Sequence, residues 1–379
     1  MALTLGVGFR PYLLAGLKSI LGMDGVPQYK IEPVGFLNLL SAQSKPTVLR
    51  LNNAAGHQNT VQIKYKQRYT IDFTDTTPSC DNTNVSAYRE MEVNLDSYRQ
   101  IAIHVEDETI ANYMDDASNY ISVGTPATRL MNEFMEEIMG AASAILEGVN
   151  ADLMTIAAAN VGVNRRTGSN AAAAINLNRD GAANNLTDGL NQILADYTIN
   201  AGKGVPQIVG SGLFHNFMLQ QNAKSADGAG YNTAIQAAGV KFYHDLQAAN
   251  IFGANEILVV QPNALQWVEY MQYTGFKAGQ KPGASEFFTV KLPMQIGTEV
   301  IPVEFDVQLR YNDCAETFTD AYYGTTSTLQ KGYNLIISKT SGLFTIPADA
   351  YRATDPLVGN RGTLLYTITN TCDSCDSGQ

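Results

Sequence analysis

The residues best suited to chemistry in this 379-residue chain are its four histidines and four cysteines. Their spacing argues against catalysis. His57, His104, His215 and His244 are widely separated. None sits in an H-E-x-x-H pattern, which would place two imidazoles and a carboxylate on one helix face for zinc. His104 and Glu106 fall on the same face of a predicted strand, but two ligands do not make a metal site, so they read as an exposed or intersubunit polar pair. Around Ser211 the order Val209, Gly210, Ser211, Gly212 misplaces the flanking glycines of a nucleophile elbow. No glycine-rich phosphate loop of the G-x-x-x-x-G-K-[ST] type occurs. Cys372 and Cys375 form a single C-x-x-C in a polar tail. A structural zinc needs four ligands, and Cys80 and Cys314 supply no second pair. Four cysteines in so long a chain are not a disulfide framework. Met131, Met135 and Met139 recur at helical spacing, the pattern of a packed core. Zinc fingers, RNA-recognition signatures and basic helices are missing too. We expect no enzyme, no catalytic or metal site and no cofactor.

The elements around these residues are far more regular. From Val61 to Phe73, Val61, Ile63, Tyr65, Gln67, Tyr69, Ile71 and Phe73 alternate with Gln62, Lys64, Lys66, Arg68, Thr70 and Asp72. Period-two alternation means a strand with one apolar face, about 43 Å long at ~3.3 Å per residue. A second alternating run holds Met91, Val93, Leu95, Ile101, Ile103 and Val105, with the turn-rich DTTPSCDNTNVSAY between the two. The pair predicts a long hairpin over 59–105. A two-stranded hairpin is marginal alone in water, so its apolar face must lie on its own domain or on a neighbouring chain.

A helix follows over 125–160, with Thr125 as cap and Pro126 at its first position. Ala127, Met131, Phe134, Ile138, Ala141, Ile145, Val149, Leu153 and Ile156 form one apolar stripe. Residues 161–185 read as an irregular ribbon. A compact α/β stretch then begins, with a helix from Leu186, a strand in VPQIVGSG, two strands within VKFYHDLQAANIFGANEILVVQP, a helix over Asn263–Gln272 and strands in QIGTEVIPVEFDVQLRY. The chain closes with β patterns in YNLIISKTSGLFTIP and GTLLYTITN. Residues 1–50 are punctuated by Gly22, Gly25, Pro27, Pro33 and Pro46, with short helices at Tyr12–Leu21 and in PVGFLNLL, and read as an arm without its own core.

Composition fits a well-buried chain whose exterior is largely covered by neighbours: 45% of residues are hydrophobic and only 16% charged. The net charge is −11. Residues 1–70 hold eight basic and two acidic side chains, so they carry +6 and the rest −17. Such asymmetry fits either basic residues that solvate the arm or head-to-tail attraction between copies. No apolar run reaches the ~18 residues of a membrane span, and the N-terminus lacks the charged start of a signal peptide.

The stretches VQIKYKQRYTIDF with EMEVNLDSYRQIAIHVED, then TPATRLMNEFMEEIMGAASAILEGVNADLMTIAAA, then VKFYHDLQAANIFGANEILVVQPNALQWV, come in an order that resembles the Hong Kong 97-type (HK97-like) major capsid proteins of tailed bacteriophages. The resemblance is one of architecture over nearly the whole chain. It implies an α+β fold with N-terminal arm (1–58), extended β-hairpin loop (59–105), a peripheral domain (106–185) with its long spine helix at 125–160, an axial domain (186–325), and a peripheral return with C-terminal tail (326–379). It implies an icosahedral shell of hexamers and pentamers that encloses double-stranded DNA without sequence-specific binding. Assembly would occur in the host cytoplasm, with separate scaffolding, portal and decoration proteins as partners and no membrane. The extended loop would lie on an adjacent subunit through Ile63, Lys64, Tyr65, Lys66, Arg68, Tyr69 and Ile71. Only about 58 residues precede the hairpin, so an uncleaved subunit is expected. An encapsulin-like nanocompartment shell is the alternative with the same fold. An α/β enzyme using His215 or His244 is the third reading, disfavoured because no nucleophile, metal set or phosphate loop accompanies them.

Overall fold

The computed structural model describes residues 30–31, 34–46, 48–53, 59–66, 88–106, 127–176, 190–214, 240–271, 285–296, 299–312, 316–319, 326–329, 332–351 and 357–369. In chain order these form β1 (Lys30–Ile31), a helix at Gly35–Ser41, β2 (Val48–Asn53), β3 (Asn59–Lys66), β4 (Tyr88–Asn94), β5 (Ser97–Glu106) and a long helix at Ala127–Ala159. Next come β6 (Ala173–Asn176), a helix at Leu190–Ile199, β7 (Gln207–Gly210), β8 (Lys241–His244), a one-turn helix at Ala248–Ile251 and β9 (Glu256–Val260). The remainder is β10 (Leu265–Tyr270), β11 (Ser285–Ile296), β12 (Glu299–Asn312), β13 (Glu316–Thr319), β14 (Thr326–Leu329), β15 (Gly332–Thr345), a 3-10 turn at Ala348–Ala350 and β16 (Thr363–Thr369). The fold is mixed α and β, and the chain divides into two compact units.

The first unit takes residues 1–31, 97–149 and 270–340. Its frame is the antiparallel pair β11–β12, in register from Ser285↔Arg310 to Ile296↔Glu299. Val303, Phe305, Val307 and Leu309 of β12 are buried at period two, the signature of a strand with one face on the core. β12 pairs with β15, which β5 also joins, and β1 adds to β11 in parallel. Lys339 of β15 is fully buried. Its ammonium donates to the Glu304 carbonyl at 2.9 Å and lies 5.4 Å from the centroid of the Phe305 ring.

The second unit takes residues 32–96, 150–269 and 341–379. Its larger sheet runs β6-β16-β9-β7-β8, with β6 parallel to β16, β8 parallel to β7, and β9 antiparallel to both β16 and β7. Ile193, Tyr197, Ile208, Ile257, Val259, Leu364 and Tyr366 build its core. The smaller sheet is the antiparallel order β2-β3-β4.

The long helix matches its expected span closely, and Ile138, Ala141, Ile145, Val149 and Leu153 are buried as the stripe requires. Met139, Ala142, Leu146, Met154 and Ala157 are buried too, so the apolar face is wider than one stripe. Of the methionine stripe Met139 is buried, and the side chains of Met131 and Met135 lie outside the described residues. The cap at Thr125 and Pro126, and the helix at Tyr12–Leu21, lie outside the described residues.

Four expectations are corrected. The helix over Asn263–Gln272 is instead β10. Asn263 takes a left-handed backbone (φ 62°), and the aromatic and β-branched LQWVEY that follows enters a sheet. Within the expected arm, residues 34–41 and 48–53 are not bare. Phe36, Leu37, Leu39 and Leu40 are at most 2% exposed, and β2 completes a sheet with β3. The second run of the hairpin is two strands, since β4 pairs with β3 whereas β5 pairs with β15. Sheet membership also cuts across the 186–325 and 326–379 boundaries: β7 to β9 share a sheet with β16, while β11 and β12 pair with β15. Strand pairing joins distant segments, so contiguous sequence blocks are a poor guide to it.

Candidate functional site

Four of the expected contact residues, Ile63, Lys64, Tyr65 and Lys66, fall on β3. β3 and β4 stand in register as Val61↔Val93, Ile63↔Met91, Lys64↔Glu90 and Tyr65↔Arg89. The alternation of β3 sends Val61 and Ile63 inward, at 2% and 1% exposure, and Lys64 outward. Along β4 burial fades from Val93 at 4% to Tyr88 at 63%. The ribbon is therefore seated in the core near Asn94 and open near Tyr88.

Three contacts fix its open end. The Tyr65 and Phe344 rings are 6.3 Å apart and tilted by 48°, an edge-type packing of two aromatics. Arg89 Nη1 donates to Asp349 Oδ2 at 3.0 Å. Both partners are well exposed, so the pair is worth at most about 1 kcal/mol and acts mainly on orientation. Burial raises the pKa of the Tyr65 phenol, Asp349 raises it further, and Arg89 opposes both. Across the strand pair Lys64 Nζ sits 4.7 Å from the centroid of the Tyr88 ring, a cation–π contact between two solvent-facing groups.

Ile63 requires a correction. Its side chain is already covered by its own unit and offers no free surface to a neighbour. Lys64 is exposed, Tyr65 is half-buried against Phe344, and Lys66 ends β3 opposite Tyr88. Arg68, Tyr69 and Ile71 lie outside the described residues. The structure thus gathers Lys64 and Tyr65 with Tyr88, Arg89, Phe344 and Asp349. Phe344 and Asp349 had no sequence signal, because they reach the ribbon from more than 250 positions away.

Two buried carboxylates in the second unit were also missed. Asp245 accepts from the Phe36 N–H at 2.9 Å, the Gln247 N–H at 2.9 Å and Asn150 Nδ2 at 3.0 Å. Burial raises its pKa, against the lowering effect of these bonds and of His244. Asp196 accepts from Arg166 Nε and Gln192 Nε2, each at 2.9 Å, and from the Tyr366 hydroxyl at 3.3 Å. Burial, then Asp196, pushes the Tyr366 phenol strongly upward. Both carboxylates are enclosed by donors and tie segments together, which is a structural use.

The side chain of Glu106 lies outside the described residues, and that of His104 is placed on β5. His104 Nδ1 lies 2.6 Å from Asn334 Oδ1 across β5 and β15. Among the described residues no group of three His, Cys, Asp or Glu side chains is arranged to hold a metal ion, and no helix is long and apolar enough to cross a membrane.

No protein-family model matches the chain, and no curated protein does. Solved structures do match along most of its length. The capsid asymmetric unit of cyanophage A-1(L) is 12% identical, with 92% of this chain and 96% of that chain covered and a TM-score of 0.45. The capsid of cyanophage P-SCSP1u is 11% identical, with 87% and 90% covered and a TM-score of 0.38. A virus-like particle from Pyrococcus furiosus is 8% identical, with 93% and 95% covered and a TM-score of 0.36.

Proposed function

We propose that this chain is a shell protein of the Hong Kong 97 type, the major capsid subunit of a tailed phage, with a structural role and no catalytic one. The observation that carries the reading is the succession of elements in one chain. A strand ribbon of β3 and β4 comes first, a 33-residue helix follows, and an α/β sheet comes after it. On this reading the ribbon is aimed by Tyr65, Phe344, Arg89 and Asp349, and Lys64 and Lys66, with Arg68, Tyr69 and Ile71 further along, meet an adjacent subunit. Copies form hexamers and pentamers that close an icosahedral head around double-stranded DNA in the host cytoplasm, with scaffolding and portal proteins supplied separately. Residues 106–185 with 326–379 would serve as the peripheral domain and 186–325 as the axial one, adjusted for the sheet exchange of β16.

The test is assembly itself. The purified chain, alone and with a co-expressed scaffold, is followed by sedimentation and negative-stain electron microscopy. Closed particles or ring-shaped capsomers are expected. A stable monomer of 41.0 kDa under every condition overturns the reading. Particle contents then separate its two forms: nuclease-protected DNA supports a phage head, and a packaged protein cargo supports the nanocompartment alternative.

A further inference from the structure

Three loops of the second unit share an unusual composition. The segments 160–169, 199–206 and 357–362 contain Arg165, Arg166, Lys203 and Arg361 and no acidic residue, in a chain whose net charge is −11. Hydrogen bonds hold these segments together. Asn360 Nδ2 donates to the Asn200 carbonyl at 2.6 Å, the Arg165 N–H donates to Asn200 Oδ1 at 2.9 Å, and the Gly162 N–H donates to the Thr363 carbonyl at 3.0 Å. The loops are therefore preorganised. They also expose large apolar side chains: Ile199 at 46%, Val205 at 41% and Val358 at 47%. Arg166 is neutralised by Asp196, which leaves Arg165, Lys203 and Arg361 as net positive charge on the same tied loops. Exposed apolar side chains interspersed with uncompensated positive charge on preorganised loops are the components of a protein–protein contact.

We infer that these loops dock on the acidic outer face of the long helix in a second copy of the chain. That face exposes Glu136, Glu137, Gly140 and Ala144 in succession at helical spacing. Its small residues admit the apolar side chains closely, and its carboxylates meet the positive charges. The loop patch and the helix face differ, so the contact is heterologous and closes rings or shells rather than isolated pairs. The inference deepens the shell reading and rests on it.

The experiment compares particle yield of the full chain with that of three variants: Arg165→Glu with Lys203→Glu, Glu136→Lys with Glu137→Lys, and all four together. All of these side chains are exposed, and circular dichroism checks that each variant keeps the wild-type fold. Each reversal alone should lower the yield at least tenfold, and the fourfold exchange should restore it. Wild-type yield from the loop reversal, or no recovery in the fourfold exchange, overturns the docking while leaving the shell reading intact. Unchanged yield with loss of co-purifying nucleic acid also overturns it and assigns the patch to phosphates. If the wild-type chain forms no particles, the shell reading itself fails.

Discussion

Ile63 and Asp245 show how much one side chain decides here. Ile63 is 1% exposed within its own unit. Ile63→Asp should therefore unfold the subunit, seen as lost circular dichroism in the monomer, while Ile63→Val should cost about 0.5–1.5 kcal/mol. Lys64→Ala, at an exposed position on the same strand, should leave the monomer melting temperature unchanged. A folded Ile63→Asp monomer would mean the ribbon is not seated as described. Asp245 makes a different case. Its carboxylate holds the first turn of the Gly35–Ser41 helix through Phe36, and Asn150 Oδ1 holds the next donor, the Leu37 N–H at 3.0 Å. Asp245→Ala leaves buried donors unpaired, at about 1–3 kcal/mol each. Because burial raises its pKa above the ordinary 3.8, the folded state binds this proton more tightly than the unfolded state. The contribution of Asp245 is thus largest when it is protonated and falls as pH rises from 3.8 through the raised value. Asp245→Asn should gain stability relative to wild type as pH goes from about 4 to about 7 in paired melts. A constant difference between the two proteins would refute the shift.

At the scale of elements, glycine separates open from crowded backbone. Gly140 lies on the exposed side of the long helix, and a Cβ there would meet nothing within 4 Å. Gly140→Ala should stabilise the subunit by about 0.5–1 kcal/mol, because alanine loses less backbone entropy in a helix. Gly342 in β15 is the opposite. A Cβ there would sit 2.5 Å from the Asn94 carbonyl oxygen, just after β4 ends its pairing with β3. Gly342→Ala must push the ribbon root away from β15 and lower the melting temperature. Equal melting temperatures for the two alanine variants would show that this close approach does not exist. The long helix was legible in the sequence because its 3.6-residue pattern is sustained for 33 residues. The Leu265–Tyr270 strand was not, since Leu265 and Val268, both buried, are three apart and imitate a helical face.

For the whole molecule, charge makes the sharpest prediction. With +6 in residues 1–70 and −17 in the remainder, attraction between unlike regions of different copies should drive encounter. The screening length falls from about 10 Å at 0.1 M salt to about 3 Å at 1 M. Assembly followed by light scattering should slow severalfold over that range. A rate that does not depend on salt would place the drive in apolar contacts alone.

The sequence by itself determined the long helix, the alternating strand and the absence of recognised catalytic motifs. The alternation of β3, the stripe of the long helix and the spacing of His57, His104, His215 and His244 are local properties, set by backbone period and by which residue types stand near one another in the chain. Only the tertiary structure decided which strands are neighbours. It sent β5 to β15, brought β16 beside β9, buried Phe36 to Leu40 in the second unit and set Phe344 and Asp349 against the ribbon. These pairings join residues up to hundreds of positions apart. They depend on which complete set of faces buries the most apolar surface with its hydrogen bonds satisfied, and no local window of sequence contains that comparison.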